Sequence, residues 1–185
     1  MVSAATVAGE VITATVDVAA AAAIGPRSLV VAGAVKPGAV TIYDTVDSLR
    51  VTPSWNMARV GGVVFPKMLA RFDAWTFNNG PDKKPNTADD LRLDAVAATW
   101  NVEEYKATFD DEDIKFVGGI DAATSVFTPN VDGPNPQRKG ERNNMGDVWV
   151  VASFTPPGAA APLKGRSHLL VTAPLYMKFD PTVTP

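Results

Sequence analysis

The sequence has no cysteine and a single histidine, His168. Without thiols there can be no disulfide, thiolate nucleophile, Cys-ligated zinc, iron–sulfur cluster or covalent c-type haem attachment. One imidazole cannot make a two-histidine metal site. Ser167 cannot act as its nucleophilic partner either, because neighbours on a strand face opposite ways. Runs of Lys or Arg are also missing, and the net charge is -3. That argues against a nucleic acid held through its phosphates. The longest apolar stretch, Val16 to Ile24, is mostly alanine, is broken by Asp17 and is too short to span a bilayer, so no membrane insertion is expected. Met1 is not followed by a basic region; any export signal is expected to lie elsewhere or to have been removed.

What the chain does have is proline and glycine, 15 and 14 residues, with 46% apolar residues to build a core. The turn formers cluster at Asn78 to Asn86, Pro129 to Pro136 and Pro156 to Pro162, between runs of alternating hydrophobicity. This pattern predicts an all-β, antiparallel sandwich rather than a parallel α/β sheet. In Glu10 to Val18, the residues Ile12, Ala14, Val16 and Val18 share one face, as in a half-buried strand. Strands over Arg27 to Ala32, Val40 to Tyr43 and Ser48 to Thr52 follow, with turns at Gly33, Pro37 and Gly38 and a stop at Pro53. A sandwich needs about seven strands. Residues 1–50 therefore read as a partial β unit whose remaining strands come from another polypeptide, and residues 51–185 as a complete sandwich.

In the second unit, strands are expected at Lys67 to Phe77, Leu91 to Trp100, Lys115 to Ile120, Asp147 to Phe154 and Ser167 to Ala173. The clearest is Asp147 to Phe154, where Val148, Val150, Ala152 and Phe154 share a face. One short helix is expected from Asn101, because Glu104 three residues on completes a capping-box pattern and Val102, Tyr105 and Phe109 fall on one helical face. The acidic run Asp110 to Asp113 would then end that helix, where the macrodipole disfavours negative charge.

Few constellations could carry chemistry. The loop Asp82 to Asp90, with Asn86 and Asp89, gathers oxygen ligands of the kind calcium takes, but its spacing is not that of an EF-hand and Lys83 and Lys84 sit beside the acids. The plainer reading is a turn rich in Asp, Asn and Pro. Asp110, Asp111, Glu112 and Asp113 could offer an acid–base pair or a metal site, yet adjacent residues seldom aim at one point, and a solvated charge run is the expectation. His168 is expected to be structural or partly exposed. Of the four tryptophans, Trp55, Trp75, Trp100 and Trp149, the second and fourth carry no specific assignment; Trp100 is placed in the core and Trp55 at an interface. No catalytic, cofactor-binding or metal-binding residue is assigned.

Three stretches together carry a family resemblance. They are Tyr43 to Pro53 followed by Met57 to Gly62; Asn79 to Asp82 through Thr87 to Leu93 and Ala98 to Trp100; and Val126 to Asn130 through Gly133 to Pro136 and Asn143 to Gly146 to His168 to Thr172. In order and spacing these resemble the C-terminal immunoglobulin-like domains of the quinohaemoprotein amine dehydrogenase alpha subunit. Residues 1 to about 48 resemble the rear half of the third domain, and the remainder the fourth. The resemblance implies a periplasmic, multi-subunit enzyme oxidising primary amines. It also implies two c-type haems in another domain of the alpha subunit and a cysteine-derived tryptophylquinone in a small subunit. With no cysteine, neither cofactor can reside in this chain. The implied role is a non-catalytic structural or assembly module, partnered by a dihaem cytochrome and by a chain that completes the N-terminal unit. An exported immunoglobulin-like binding or adhesion domain, unrelated to amine oxidation, is the alternative.

Overall fold

In a computed structural model of the chain, residues 2–62, 65–106 and 112–175 are described. They divide into two compact units, Met1–Thr45 and Val46–Pro185.

The first unit consists of two antiparallel hairpins. Strand β1 (Val2–Ala8) pairs with β2 (Val11–Val16), and β3 (Gly25–Val31) pairs with β4 (Ala34–Ile42). Gly33, at a φ of 86°, supplies the left-handed turn residue between β3 and β4. Three local expectations change. Strand β1 is additional, its alanines hiding a weak alternation. Strand β4 runs straight through Pro37 and Gly38, and the pairing adjusts instead by a register shift between Arg27 and Leu29. Finally, β2 is not half-buried, since all of its residues are exposed. Alternation shows that a strand has two faces, but it does not show that either face is covered.

The second unit is an all-β, immunoglobulin-like sandwich. One sheet has the order β10 (Thr99–Glu104), β13 (Gly146–Phe154), β14 (Leu163–Thr172), β6 (Trp55–Arg59). A second runs β5 (Ser48–Thr52), β8 (Asp73–Asn78), β9 (Leu91–Val96), and a smaller one runs β11 (Gly118–Ile120), β12 (Val126–Pro129), β7 (Ala70–Arg71). Ser48–Thr52 thus pairs with β8 in this unit. Just beyond it the chain crosses at Pro53 and Ser54 into the first sheet, where β6 runs parallel to β14.

Alternation sets the core. From β13 come Val148, Val150 and Ala152, from β14 Leu169 and Val171, and from β5 Leu49 and Val51; Phe72, Trp100 and Phe127 fill the space among them. Phe72 and Phe127 are wholly buried, each contributing about 2–3 kcal/mol by area. Gly165 lets β14 pass close to β5, since a Cβ there would lie 2.6 Å from the Leu49 carbonyl oxygen.

Several boundaries depart from expectation. The long Lys67 to Phe77 strand is two, β7 and β8, broken at Phe72. Leu91 to Trp100 is likewise two, because the chain changes sheets between β9 and β10. Strands β6 and β12 are additional, and β14 begins at Leu163 rather than Ser167. The largest correction concerns the helix. Asn101 to Glu104 lies in β10, each residue paired with β13, so sheet pairing overrides the capping pattern. The helical turn is α1 (Asp113–Phe116), which Asp113 opens rather than a helix that the acidic run closes. Phe109, Asp110 and Asp111 lie outside the described residues.

Candidate functional site

Asp113 is a buried acid, whereas the sequence places it in a solvated run. It is only 4% exposed, as is Arg138 from the loop after β12. Asp113 Oδ1 accepts a hydrogen bond from Arg138 Nη2 at 2.6 Å, and Oδ2 accepts one from the Asp147 backbone N–H at 2.8 Å. Arg138 Nη1 also donates to the carbonyls of Asn143 and Met145, both at 2.7 Å, and its guanidinium lies 5.2 Å from the Phe116 ring centre. A Cβ on Gly146 would come within 2.1 Å of Asp113, so only glycine fits there. With a fixed donor on each oxygen, this carboxylate ties α1, the loop 130–146 and β13 together.

The Asp82 to Asp90 loop spends its oxygens in the same internal way. Asp90 pairs with Arg50 and accepts the N–H groups of Asn86 at 2.7 Å and Thr87 at 3.1 Å. Desolvation pushes its carboxyl up, but Arg50 and the two backbone donors outweigh this and hold it below the ordinary value. Asp82 accepts the Lys84 N–H at 2.8 Å, and Thr87 Oγ1 donates at 2.8 Å toward Asp89. Asp47 accepts the Asn79 N–H at 2.8 Å. Among the described residues, no group of three His, Asp or Glu side chains is placed to hold a metal ion.

The outer face of the four-stranded sheet is different in character. The pairing aligns Glu103, Trp149, His168 and Trp55 across four strands in one rung. His168 Nε2 lies 2.9 Å from Asp147 Oδ2, and its ring stacks on Tyr105 at 4.1 Å and 24°. Trp149 closes the cluster, 4.9 Å from Tyr105 and 5.7 Å from His168, with the Arg166 guanidinium 4.5 Å from its centre. Trp55, Met57 and Tyr105 are all more than a third exposed. Ser167, by contrast, is fully buried on the opposite face of β14 from His168. Of the other tryptophans, Trp100 is core, and Trp75 sits under the Arg92 guanidinium at 4.1 Å.

The sequence therefore located Trp55 and His168 but did not bring them together. Tyr105 was read as helical, and the Asp113–Arg138 pair was missed. The signal available for that pair was the loop's concentration of Asn and Gly around Arg138 and Arg142, Asn135 to Gly146.

Neither a covalently attached c-type haem nor a cysteine-crosslinked tryptophylquinone fits the residues present, because each needs a cysteine and there is none. No helix among the described residues is long and apolar enough to cross a membrane.

Comparison with known proteins gives no match among curated sequences. A family model does match, described as quinohemoprotein amine dehydrogenase, alpha subunit domain IV, over residues 49–182. Those residues take in all of the sandwich strands but for Ser48, the first residue of β5. The chain belongs to the quinohemoprotein amine dehydrogenase alpha subunit family, through its domain IV.

Proposed function

We propose that this chain is a non-catalytic structural module that helps to assemble a periplasmic, amine-oxidising redox complex. The observation that carries the proposal is the outer face of the β10-β13-β14-β6 sheet. There Trp55 is 51% exposed, alongside Met57 and Tyr105, on a four-stranded sheet. Exposed aromatic and Met side chains on a fixed scaffold are the composition of a protein interface core. Two of the acidic groups, Asp113 and Asp90, are engaged in structural ion pairs with Arg138 and Arg50, which supports this reading. In this reading the haems and the quinone are carried by other domains or subunits.

The first unit supports the same role. Its hairpins expose Val7, Val11, Ile12, Val30 and Val35, and isolated two-stranded hairpins are marginal in water. We read them as strands covered by another polypeptide of the complex, by strand addition or face packing.

The test is co-purification of the tagged chain from its native host, followed by the absorbance of covalently bound haem. Wild type should bring down a haem-bearing polypeptide. The variant Trp55→Asp/Met57→Asp should lose it while changing stability little, since isolated surface substitutions stay within about 0.5 kcal/mol. Haem recovery equal to wild type would remove this face from the assembly role.

A further inference from the structure

The sandwich carries an open groove of about 500 Å³ where β5 meets the first half of β14. Arg50, Ser54, Phe77, Lys164 and Arg166 line it, and of these Arg166 touches the aromatic rung described above, through Trp149. Two features make it a receptor rather than a gap in packing.

The first is an unused stretch of strand edge. The His168 N–H crosses from β14 to the Ser54 carbonyl at 3.1 Å, and pairing with β6 begins only at His168. Backbone groups two and four residues earlier point the same way, because direction along a strand alternates with period two. The N–H groups of Arg166 and Lys164 therefore face the groove side, where no strand is hydrogen-bonded to them.

The second is surplus positive charge with fixed geometry. Arg50 is held over the Phe77 ring, 3.9 Å from its centre, and by its pair with Asp90, yet its buried Nε meets no acceptor. Arg166 rests on Trp149 and has no carboxylate partner among the described residues, while Lys164 has only a loose pair with Glu103 at 4.0 Å, both ends exposed. Backbone donors, guanidinium forks and an ammonium around one opening are the donor set for a planar anion.

We infer that this groove binds a carboxylate. Arg50 is already neutralised by Asp90, which leaves Arg166 and the loosely paired Lys164, a charge that suits one carboxylate rather than a polyphosphate. The carboxylate is either that of an acidic polypeptide segment or that of a free small acid.

The experiment is an amide NMR titration of the full chain at constant ionic strength. Its probes are citrate, a short glutamate-containing peptide and inorganic phosphate, applied to wild type and to Lys164→Gln/Arg166→Gln. Carboxylates should shift the amides of Lys164 to Arg166 in a saturable way. The double variant, its melting temperature unchanged, should weaken binding by about tenfold or more, as for the loss of charge-assisted hydrogen bonds. Tighter binding of the peptide than of citrate would identify a polypeptide source, and the reverse a free acid. Absent or non-saturating shifts, equal binding by the variant, or phosphate binding as tightly as either carboxylate would overturn the inference.

Discussion

Substituting Asp113 by alanine removes one half of an ion pair whose side chains are only 2% and 6% exposed. At the observed 2.6 Å and an effective dielectric of about 20, the gross attraction is about 6 kcal/mol. Most of that offsets the cost of taking two charges out of water, so the pair's net contribution is small. Breaking it is another matter. Asp113→Ala leaves Arg138 charged, buried and still tied to the carbonyls of Asn143 and Met145, and leaves the Asp147 N–H without its acceptor. The expected loss is about 3–5 kcal/mol, the usual result of removing one partner of a buried ion pair. Urea unfolding followed by tryptophan fluorescence measures it cleanly, because Trp55, Trp75, Trp100 and Trp149 all lie in the second unit. Adding Arg138→Met should recover a large part of the loss, since no unpaired charge then remains. A loss below about 1 kcal/mol, or strictly additive effects in the double variant, would refute the view that this pair locks the loop 130–146.

Other outcomes follow from the same geometry. Asp90 is held below its ordinary carboxyl value of 3.8. The stability it contributes is therefore fully present above that value and is lost as pH falls through its lower folded value; Asp90→Asn should flatten the acid side of a denaturation midpoint against pH, and an unchanged profile would count against the Arg50 pairing. Gly165→Val should cost about 1–3 kcal/mol in chemical denaturation, because its Cβ would be forced against the Leu49 carbonyl, and a neutral result would contradict the close approach of β14 to β5. Excess chelator should leave the melting temperature unchanged, as should Asp82→Asn with and without added calcium; a calcium-dependent rise would show that the loop 82–90 holds an ion.

The sandwich was legible where burial and alternation coincide. Val148, Val150 and Ala152 read correctly because an interior strand of this kind must alternate to fill the core on one side. The helix misreading has the opposite origin. Asn101 to Glu104 carries a local capping pattern worth about 1 kcal/mol, whereas six consecutive pairings with β13 and the burial of Trp100 outweigh it, and no local window contains β13. Strand β2 failed on its environment, because a sequence can announce an apolar face without saying what covers it. The candidate site was visible only in pieces. Trp55 and His168 lie 113 positions apart and meet through the parallel register of β6 with β14, a pairing that no spacing rule reveals. Asp113 and Arg138 lie 25 positions apart with β11 and β12 between them, so neither residue's burial could be anticipated from its neighbours.

The central claim is that this chain serves as a structural member of an amine-oxidising complex and carries none of its chemistry. Native mass spectrometry of the assembly purified from its host through this chain tests it most directly. The account predicts a fixed-stoichiometry particle containing at least one polypeptide with covalently attached haem, with all amine-dependent electron transfer lost when that polypeptide is removed. A particle made of this chain alone would contradict it.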